Sequence, residues 1–398
     1  MQRWLSSYPL VLSVTILMAA TVTFSRPGHA TPANDVHEAQ DGGLAALEQT
    51  ILDISNPFSV LNLAVRPGEE DTGALVYCRR KLGIRTGVVF ATDSSITDCD
   101  GSRSETLMNR ALEAAGRENA ETYFLNLPWA GASNTEDAVL SVWNHDAALA
   151  KLVGAIRDFR PDVITTTASA SSNDLKSLAL TNLLIEALPK AADPTQFSDS
   201  NLAPWSVARV FVRSSGKEPT AIQVNLNEFD PIHGASYLTL AESARESYGG
   251  HGPALSATAG YNLIYPVPSN KPDESEKPAP PQSFLDGIAL PKEVASALAP
   301  PTVGGTPLLQ ALGQRTVLLD SLVGPLALKQ VLGAGKDPHA EFGDQYFRVN
   351  RFTNNIQKAV ALLLGLQFRL TLNKSVIVPG ETFAATLSLF NGSDQTFP

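Results

Sequence analysis

Short apolar runs alternate with amphipathic segments over the first two thirds of the chain, which is the pattern of strands followed by helices. Apolar runs predict strands over residues 59–65, 85–92, 122–127, 162–167, 205–214 and 220–229. Apolar positions at helical spacing predict helices over 71–83, 105–116, 145–159, 173–188 and 236–250. Strands separated by helices form mostly parallel sheets covered on both faces, so residues 44–268 are predicted to form a three-layer α/β domain.

The pattern changes in the last third of the chain. Residues 269–282 are rich in proline and charge and are predicted to be a linker or exposed loop. Helical periodicity then covers residues 283–366. Residues 367–398 have two or three short strand patterns joined by Pro-Gly and Asn-Gly turns. A lone hairpin is marginal in water, so this tail is predicted to be the start of a β-sandwich in a truncated chain.

The first 43 residues are predicted to lie outside the fold. Residues 1–30 have a basic start, an apolar run and small residues before a cleavage point, which is typical of a secretory signal peptide. Residues 31–43 are polar and are predicted to be a flexible lead-in. The protein is therefore expected to be secreted or periplasmic, and the alternative is that residues 1–30 remain as a membrane anchor.

Charge and cysteine content narrow the possible partners. The formal charge of -10 argues against nucleic acid and anionic membranes, since both attract basic surfaces. The two cysteines, Cys78 and Cys99, either pair in an oxidising compartment or remain buried thiols. They lack the spacing of a metal or redox motif. The sequence gives no oligomeric state.

Two segments are the candidates for a functional site. In a parallel α/β sheet, ligands bind at the carboxyl ends of the strands. Residues 66–71, Arg-Pro-Gly-Glu-Glu-Asp, follow the first predicted strand, and residues 168–177 follow the fourth. Both segments carry charged side chains, so they are expected to form one polar crevice.

Five segments in this order resemble the LmbE/PIG-L zinc-dependent de-N-acetylases of the large secreted bacterial subgroup. They are "ALEQTILDISNPFSVLNLAVRPGEEDTGAL", "WNHDAALAKLVGAIRDFRPDVITTT", "IEALPKAADPTQF", "PWSVARVFVR" and "NEFDPIHGASYLTLAESARESYGGHG". The resemblance implies a Rossmann-like fold. It also implies zinc-dependent hydrolysis of N-acetyl groups and a partner that is an amino-sugar-containing glycan or glycoconjugate.

The residues that carry the family's chemistry are replaced in this chain. The resemblance places the zinc ligands at Arg66, Glu69 and Ser177, the general base at Gly68 and the oxyanion donor at Asp174. Arginine is a permanent cation without an acceptor, and glycine has no group to take a proton. Serine is a poor zinc ligand beside histidine, cysteine and carboxylates. We therefore expect an inactive copy without a cofactor, in which Arg66 occupies the metal position or pairs with Glu69 or Asp174.

Other interpretations remain open at this point. The chain is alternatively an active de-N-acetylase with a non-standard metal site, or a purely structural module. The side chains expected to line the crevice in addition are Glu70, Asp71, Asp93 and His251. Acidic residues around a crevice resemble a calcium or magnesium site, but a solvated loop cluster is the more economical interpretation.

Overall fold

The structure is a computed structural model of the 398-residue chain. It describes residues 43–92, 121–131, 133–167, 174–198, 201–214, 219–247, 254–266, 281–333, 342–372 and 384–393. The predicted signal peptide, the helix predicted over 105–116 and most of the predicted linker lie outside these ranges. No helix in the described ranges has the length and apolarity needed to cross a membrane.

The strands of the described chain form one large sheet and three small ones. Their bounds are β1 Ser59–Ala64, β2 Arg85–Phe90, β3 Glu121–Phe124, β4 Val163–Thr166, β5 Arg209–Arg213, β6 Ile222–Asn225, β7 Phe229–Asp230, β8 Ala235–Ser236, β9 Thr258–Tyr265, β10 Thr302–Val303, β11 Thr306–Pro307, β12 Leu366–Leu372 and β13 Ala385–Asn391. The large sheet has the order β3-β2-β1-β4-β5-β9-β6. Its first five strands are parallel, and β9 runs antiparallel to both β5 and β6.

Helices cover the sheet and form the C-terminal segment. Their bounds are α1 Gly43–Ser55, α2 Thr72–Val76, α3 Glu136–Trp143, α4 His145–Phe159, α5 Leu175–Ala192, α6 Tyr237–Glu246, α7 Lys292–Ala297, α8 Arg315–Gly333 and α9 Tyr346–Leu364. A π-helical turn over Tyr77–Lys81 continues α2, and 3-10 turns span Leu308–Ala311 and Gly343–Gln345. The α/β class and the mostly parallel sheet are thus confirmed.

Two apolar cores lie on opposite faces of the large sheet. Alternation along β1 sends Leu61 and Leu63 into the core formed with α3, α4 and α5. Val60 points into the opposite core, which α2 and α6 cover. Both faces of the central strands are buried, which explains why the predicted strands are continuous apolar runs rather than alternating ones.

A third core joins α1 to the C-terminal helices. Ile51 and Ile54 of α1 pack with Phe352 and Ile356 of α9 and with Leu318 of α8. The first helix therefore packs on the helical segment, although the sequence pattern groups it with the α/β domain. The turn that leads into β2 presses against α1, since a Cβ atom on Gly83 would lie 2.3 Å from the Leu52 carbonyl carbon. The φ angle of Gly83, +66°, is also one that glycine adopts readily.

Some predicted elements have different extents in the structure. Residues 283–300 are predicted to be helical, but only Lys292–Ala297 is α-helical. Phe284, which precedes this helix, is buried. The tail forms the antiparallel hairpin β12–β13. Strand β9 is absent from the sequence prediction. It lies between β5 and β6 and pairs with both, and only two of its eight residues are buried.

Candidate functional site

The predicted crevice lies at the topological switch point of the sheet. Strand β1 is the middle one of the five parallel strands and pairs with β2 on one side and β4 on the other. The chain reverses its direction of progress across the sheet between β1 and β4, and in open α/β sheets ligands bind at the carboxyl ends of the strands at such a point. The hydroxyl of Thr167, after β4, donates a 3.3 Å hydrogen bond to the carbonyl of Glu69, after β1. This bond brings the end of β4 next to the turn after β1, whereas residues 168–173 of the second candidate segment lie outside the described residues.

The turn after β1 is closed by an ion pair. The Arg66 Nε atom lies 2.6 Å from the Glu69 Oε1 atom, and the two side chains are 40% and 30% exposed. The Glu69 N–H donates to the Arg66 carbonyl at 3.1 Å. Arg66 thus pairs with Glu69, which is one of the two neighbours expected from the sequence.

Gly68 holds this turn in a conformation that few other residues adopt. Its φ angle is +93°, in the left-handed region where glycine has no steric penalty. Its N–H donates to the Glu70 Oε2 atom at 2.7 Å. The residue predicted at the general-base position therefore has no side chain, and its backbone is also unsuited to an aspartate.

Asp174 and Ser177 lie at the start of α5 and bond to each other. Asp174 is the N-cap residue, and its carboxylate accepts the backbone N–H groups of Lys176 and Ser177 at 3.2 and 3.3 Å. The Ser177 hydroxyl donates to the same carboxylate. These side chains satisfy the free N–H groups of a helix terminus, a role that N-cap aspartates commonly have. Neither residue offers the imidazole that the family motif requires.

An exposed tryptophan completes the crevice wall and is absent from the sequence prediction. Trp129, which follows β3, is 49% exposed. Its ring centre lies 5.5 Å from the Arg66 guanidinium carbon and 4.6 Å from the Lys176 ammonium nitrogen. Cations at these distances are attracted to the ring quadrupole. The available sequence signal is a tryptophan in a Pro-Trp-Ala-Gly loop beyond a strand end, where ligands are bound.

The charged neighbours of Glu69 shift its pKa in opposite directions. Burial raises the pKa of Glu69, and the hydrogen bond and charge of Arg66 lower it. The charge of Asp174 raises this pKa further, whereas Lys176 lowers it. Two cations thus lie near the Trp129 ring, and the charges of both act on the Glu69 carboxylate.

Asp71 and Glu70 lie beneath the crevice surface instead of lining it. Asp71 is fully buried, and its carboxylate bonds to the Arg213 guanidinium at 3.0 Å and to the Tyr261 hydroxyl at 2.9 Å. It also caps α2 by accepting the Ala74 N–H at 3.1 Å. Glu70 is only 1% exposed. Asp71 therefore joins the end of β1 to α2 and to strands β5 and β9.

The remaining predicted positions are only partly described. Cys78 is a free and fully buried thiol whose pKa is raised by burial. Asp93 and His251 lie outside the described residues, so their predicted roles stay predictions. Cys99 also lies outside them, and of the two alternatives for the cysteines the described Cys78 has the unpaired one.

A second polar cluster lies beside α1 and was not predicted from the sequence. Ligand atoms of Glu48, Asp230 and His233 all lie within 4.8 Å of one another. The His233 Nδ1 atom is 2.6 Å from Asp230 Oδ2, and its Nε2 atom is 2.9 Å from the Arg80 Nη1 atom. Burial and the charge of Asp230 raise the pKa of Glu48 to about 7, although Arg80 lowers it. The available sequence signal is Asp-x-x-His at 230–233, but Glu48 is remote along the chain.

These two sites differ in their capacity to hold a metal ion. At the crevice, the position equated with a zinc-binding histidine is a guanidinium paired to the neighbouring carboxylate, so the residues present do not fit zinc. In the Glu48 cluster, one imidazole and two carboxylates are side chains that could hold a metal ion.

No family model matches the chain, and no curated protein is significantly similar to it. Two solved structures resemble it distantly. The conserved protein TT1542 from Thermus thermophilus is 18% identical with a TM-score of 0.37, and the match covers 48% of this chain and 78% of that one. GalB, the 4-carboxy-2-hydroxymuconate hydratase from Pseudomonas putida, is 13% identical with a TM-score of 0.35, over 52% of this chain and 97% of that one.

Proposed function

We propose that this chain is a secreted, non-catalytic relative of the LmbE/PIG-L de-N-acetylases whose crevice binds an amino-sugar-containing glycan. The Arg66–Glu69 ion pair carries the proposal. It places a permanent positive charge beside the carboxylate that the family would use as a zinc ligand. A hydrolytic zinc site of this family needs a metal ligand at position 66 and a general base at position 68. This chain has the guanidinium of Arg66 and the glycine Gly68 there instead.

Retained binding is supported by the composition of the crevice. Trp129 is half exposed and has a guanidinium and an ammonium group near its ring, so the crevice offers both aromatic surface and hydrogen-bond donors. Hydroxyl-rich sugar rings have both kinds of surface. The proposed glycan class comes from the family resemblance, and the crevice chemistry is compatible with it.

The test combines a catalytic and a binding measurement on the purified chain. Oligomers of N-acetylglucosamine serve as the probe, with acetate release followed in the presence of added zinc. We expect no acetate above the protein-free blank, and we expect calorimetric binding that weakens about tenfold in Trp129→Ala. Phe229→Ala removes another exposed aromatic ring and serves as the control, with unchanged binding.

Each outcome discriminates between the competing functions. Zinc-dependent acetate release that is lost in Glu69→Gln would establish an active hydrolase with a non-standard site. Absence of binding by both wild type and the Phe229 control would favour a purely structural module. An equal loss of glycan affinity in Trp129→Ala and Phe229→Ala would show that the glycan does not bind in the crevice.

A further inference from the structure

Three side chains from two distant parts of the chain converge beside α1. Glu48 is on α1 and is half-buried, while Asp230 and His233 flank the turn between β7 and β8. The Asp230 and His233 side chains are only 5% and 16% exposed. The Asp230 carboxylate also accepts the backbone N–H groups of Ile232 and His233, at 2.9 and 3.2 Å, which fixes the turn.

We infer that Glu48, Asp230 and His233 form a binding site for a transition-metal ion of the zinc type. One imidazole nitrogen and two carboxylate oxygens form a mixed donor set that suits zinc and disfavours calcium and magnesium, which take oxygen ligands. Two ligands of a tetrahedral zinc ion with bonds of about 2.0–2.1 Å are about 3.3 Å apart. The three ligand atoms lie within 4.8 Å of one another, and the His233 Nδ1 and Asp230 Oδ2 atoms are 2.6 Å apart, so these distances bracket the tetrahedral spacing.

Arg80 competes with the metal in this site. A guanidinium has no acceptor, so its contact with His233 Nε2 makes that nitrogen the acceptor and leaves the proton on Nδ1, which donates to Asp230. A metal on Nε2 displaces the Arg80 donor directly. A metal on Nδ1 forces the proton onto Nε2, which then no longer accepts from Arg80. Binding through either ring nitrogen therefore requires Arg80 to withdraw.

The position of the site gives the metal a structural role. Helix α1 packs on the C-terminal helices, whereas the β7–β8 turn leads directly into α6 on the α/β domain. A metal bound to Glu48 and His233 would cross-link these two parts of the molecule. Binding to the folded state alone raises stability by mass action, so the melting temperature should rise with metal concentration. The site is separate from the crevice and does not depend on the function proposed for it.

The experiment is calorimetric titration of the full chain, stripped of metal, with Zn²⁺, Ca²⁺ and Mg²⁺ in turn. We expect one zinc site, no response to the other two ions, and loss of affinity by about 100-fold in Glu48→Gln and in His233→Ala. Arg80→Met should bind zinc about tenfold more tightly, because it removes both the competing donor and a nearby positive charge. This gain of affinity cannot arise from misfolding.

A surface histidine provides the matched control. His145 also contacts two carboxylates, but Asp146 and Glu186 lie on opposite ring nitrogens, at 3.1 and 2.8 Å, so they do not converge. His145→Ala should leave zinc affinity unchanged. The inference is overturned if wild type does not bind zinc, if the Glu48 and His233 variants bind as wild type does, or if Arg80→Met binds less tightly.

Discussion

At the scale of single residues, the charged side chains of the crevice determine whether it can bind a metal ion. The Arg66 guanidinium has no acceptor for a metal ion, and Gly68 offers no group to take a proton. Burial raises the pKa of Glu69, and Arg66 lowers it. At a pH above this pKa the Glu69 carboxylate is ionised and pairs with Arg66. The ion pair is lost as the pH falls through the pKa of Glu69. A metal cation that approached Glu69 would have to displace a charge already in place.

The neighbouring acidic residues differ in their importance for stability. Asp71→Asn leaves the Arg213 guanidinium, whose side chain is 9% exposed, without its counter-charge, and should lower the free energy of unfolding by about 3–5 kcal/mol. Asp174→Asn should change it by less than about 1 kcal/mol, because Asp174 is exposed and asparagine is also a good N-cap. Urea denaturation of both variants measures the difference. Equal effects would contradict the structural role assigned to Asp71.

The sequence could locate the crevice but could not rank its residues. Arg66, Gly68 and Glu69 lie just beyond the carboxyl end of β1, because the predicted first strand ends within one residue of the strand in the structure. The same reasoning could not show that Asp71 is buried, because its partners Arg213 and Tyr261 come from β5 and β9, more than a hundred residues away. Trp129, Glu48 and Asp230 were missed because each acquires its neighbours only through tertiary packing.

At the scale of secondary-structure elements, a single buried arginine fixes the chain after α5. Arg157 on α4 is 1% exposed and donates to backbone carbonyls beyond its own helix. Its acceptors are Lys190, Ala191, Asp193, Gln196 and Phe197. Helix α5 continues through Pro189 to Ala192, so these carbonyls belong to a helix end and the following turn. The planar donor group of arginine suits such a divergent set of acceptors.

Arg157→Lys tests this arrangement. Lysine keeps the charge but has three donors on a single atom, so some of these buried carbonyls lose their partner. We expect a loss of about 2–4 kcal/mol in unfolding free energy and faster amide exchange over residues 193–198. Lys151→Met on the same helix removes a contact to the Leu125 carbonyl from an exposed position and should cost less than about 1 kcal/mol. Unchanged exchange after Arg157→Lys would contradict the role assigned to this side chain.

The pattern of apolar residues predicted the central elements better than the peripheral ones. The helix predicted over 145–159 has those bounds in the structure, and the β1, β2 and β4 predictions differ by one or two residues at their ends. Strand β9 could not be recognised because only two of its residues are buried, Ala259 and Tyr261. Segment 283–300 is less helical than predicted, because Phe284 and Leu285 pack on the sheet core instead of forming a helix face.

At the scale of the whole molecule, an ion pair and hydrogen bonds connect the C-terminal helices to the amino ends of the central strands. Arg348 on α9 is 3% exposed and bonds to both oxygens of Asp162, at 2.6 and 2.9 Å. Asp162 in turn accepts the Ser59 N–H at 2.8 Å, at the start of β1. The opposite end of β1 carries the crevice. The helical segment thus supports the strand that positions Arg66 and Glu69.

Arg348→Met should destabilise the whole chain by about 3–5 kcal/mol, because it leaves the Asp162 carboxylate buried without its counter-charge. The double variant with Asp162→Asn should recover part of this loss, which a double-mutant cycle measures as a coupling energy of about 1–3 kcal/mol. Wild type should unfold in one transition by both far-ultraviolet circular dichroism and tryptophan fluorescence. Two separate transitions, with only the second sensitive to Asp162→Asn, would show that the helical segment folds independently.

The proposed function requires a crevice that binds no metal ion. The most direct measurement is an anomalous difference map at the zinc edge from crystals soaked in zinc. We expect no peak within bonding distance of Glu69, Asp174 or Ser177, and we expect a peak between Glu48, Asp230 and His233. A zinc peak held by Glu69 and Asp174, with Arg66 turned away, would contradict the claim and restore a hydrolytic site.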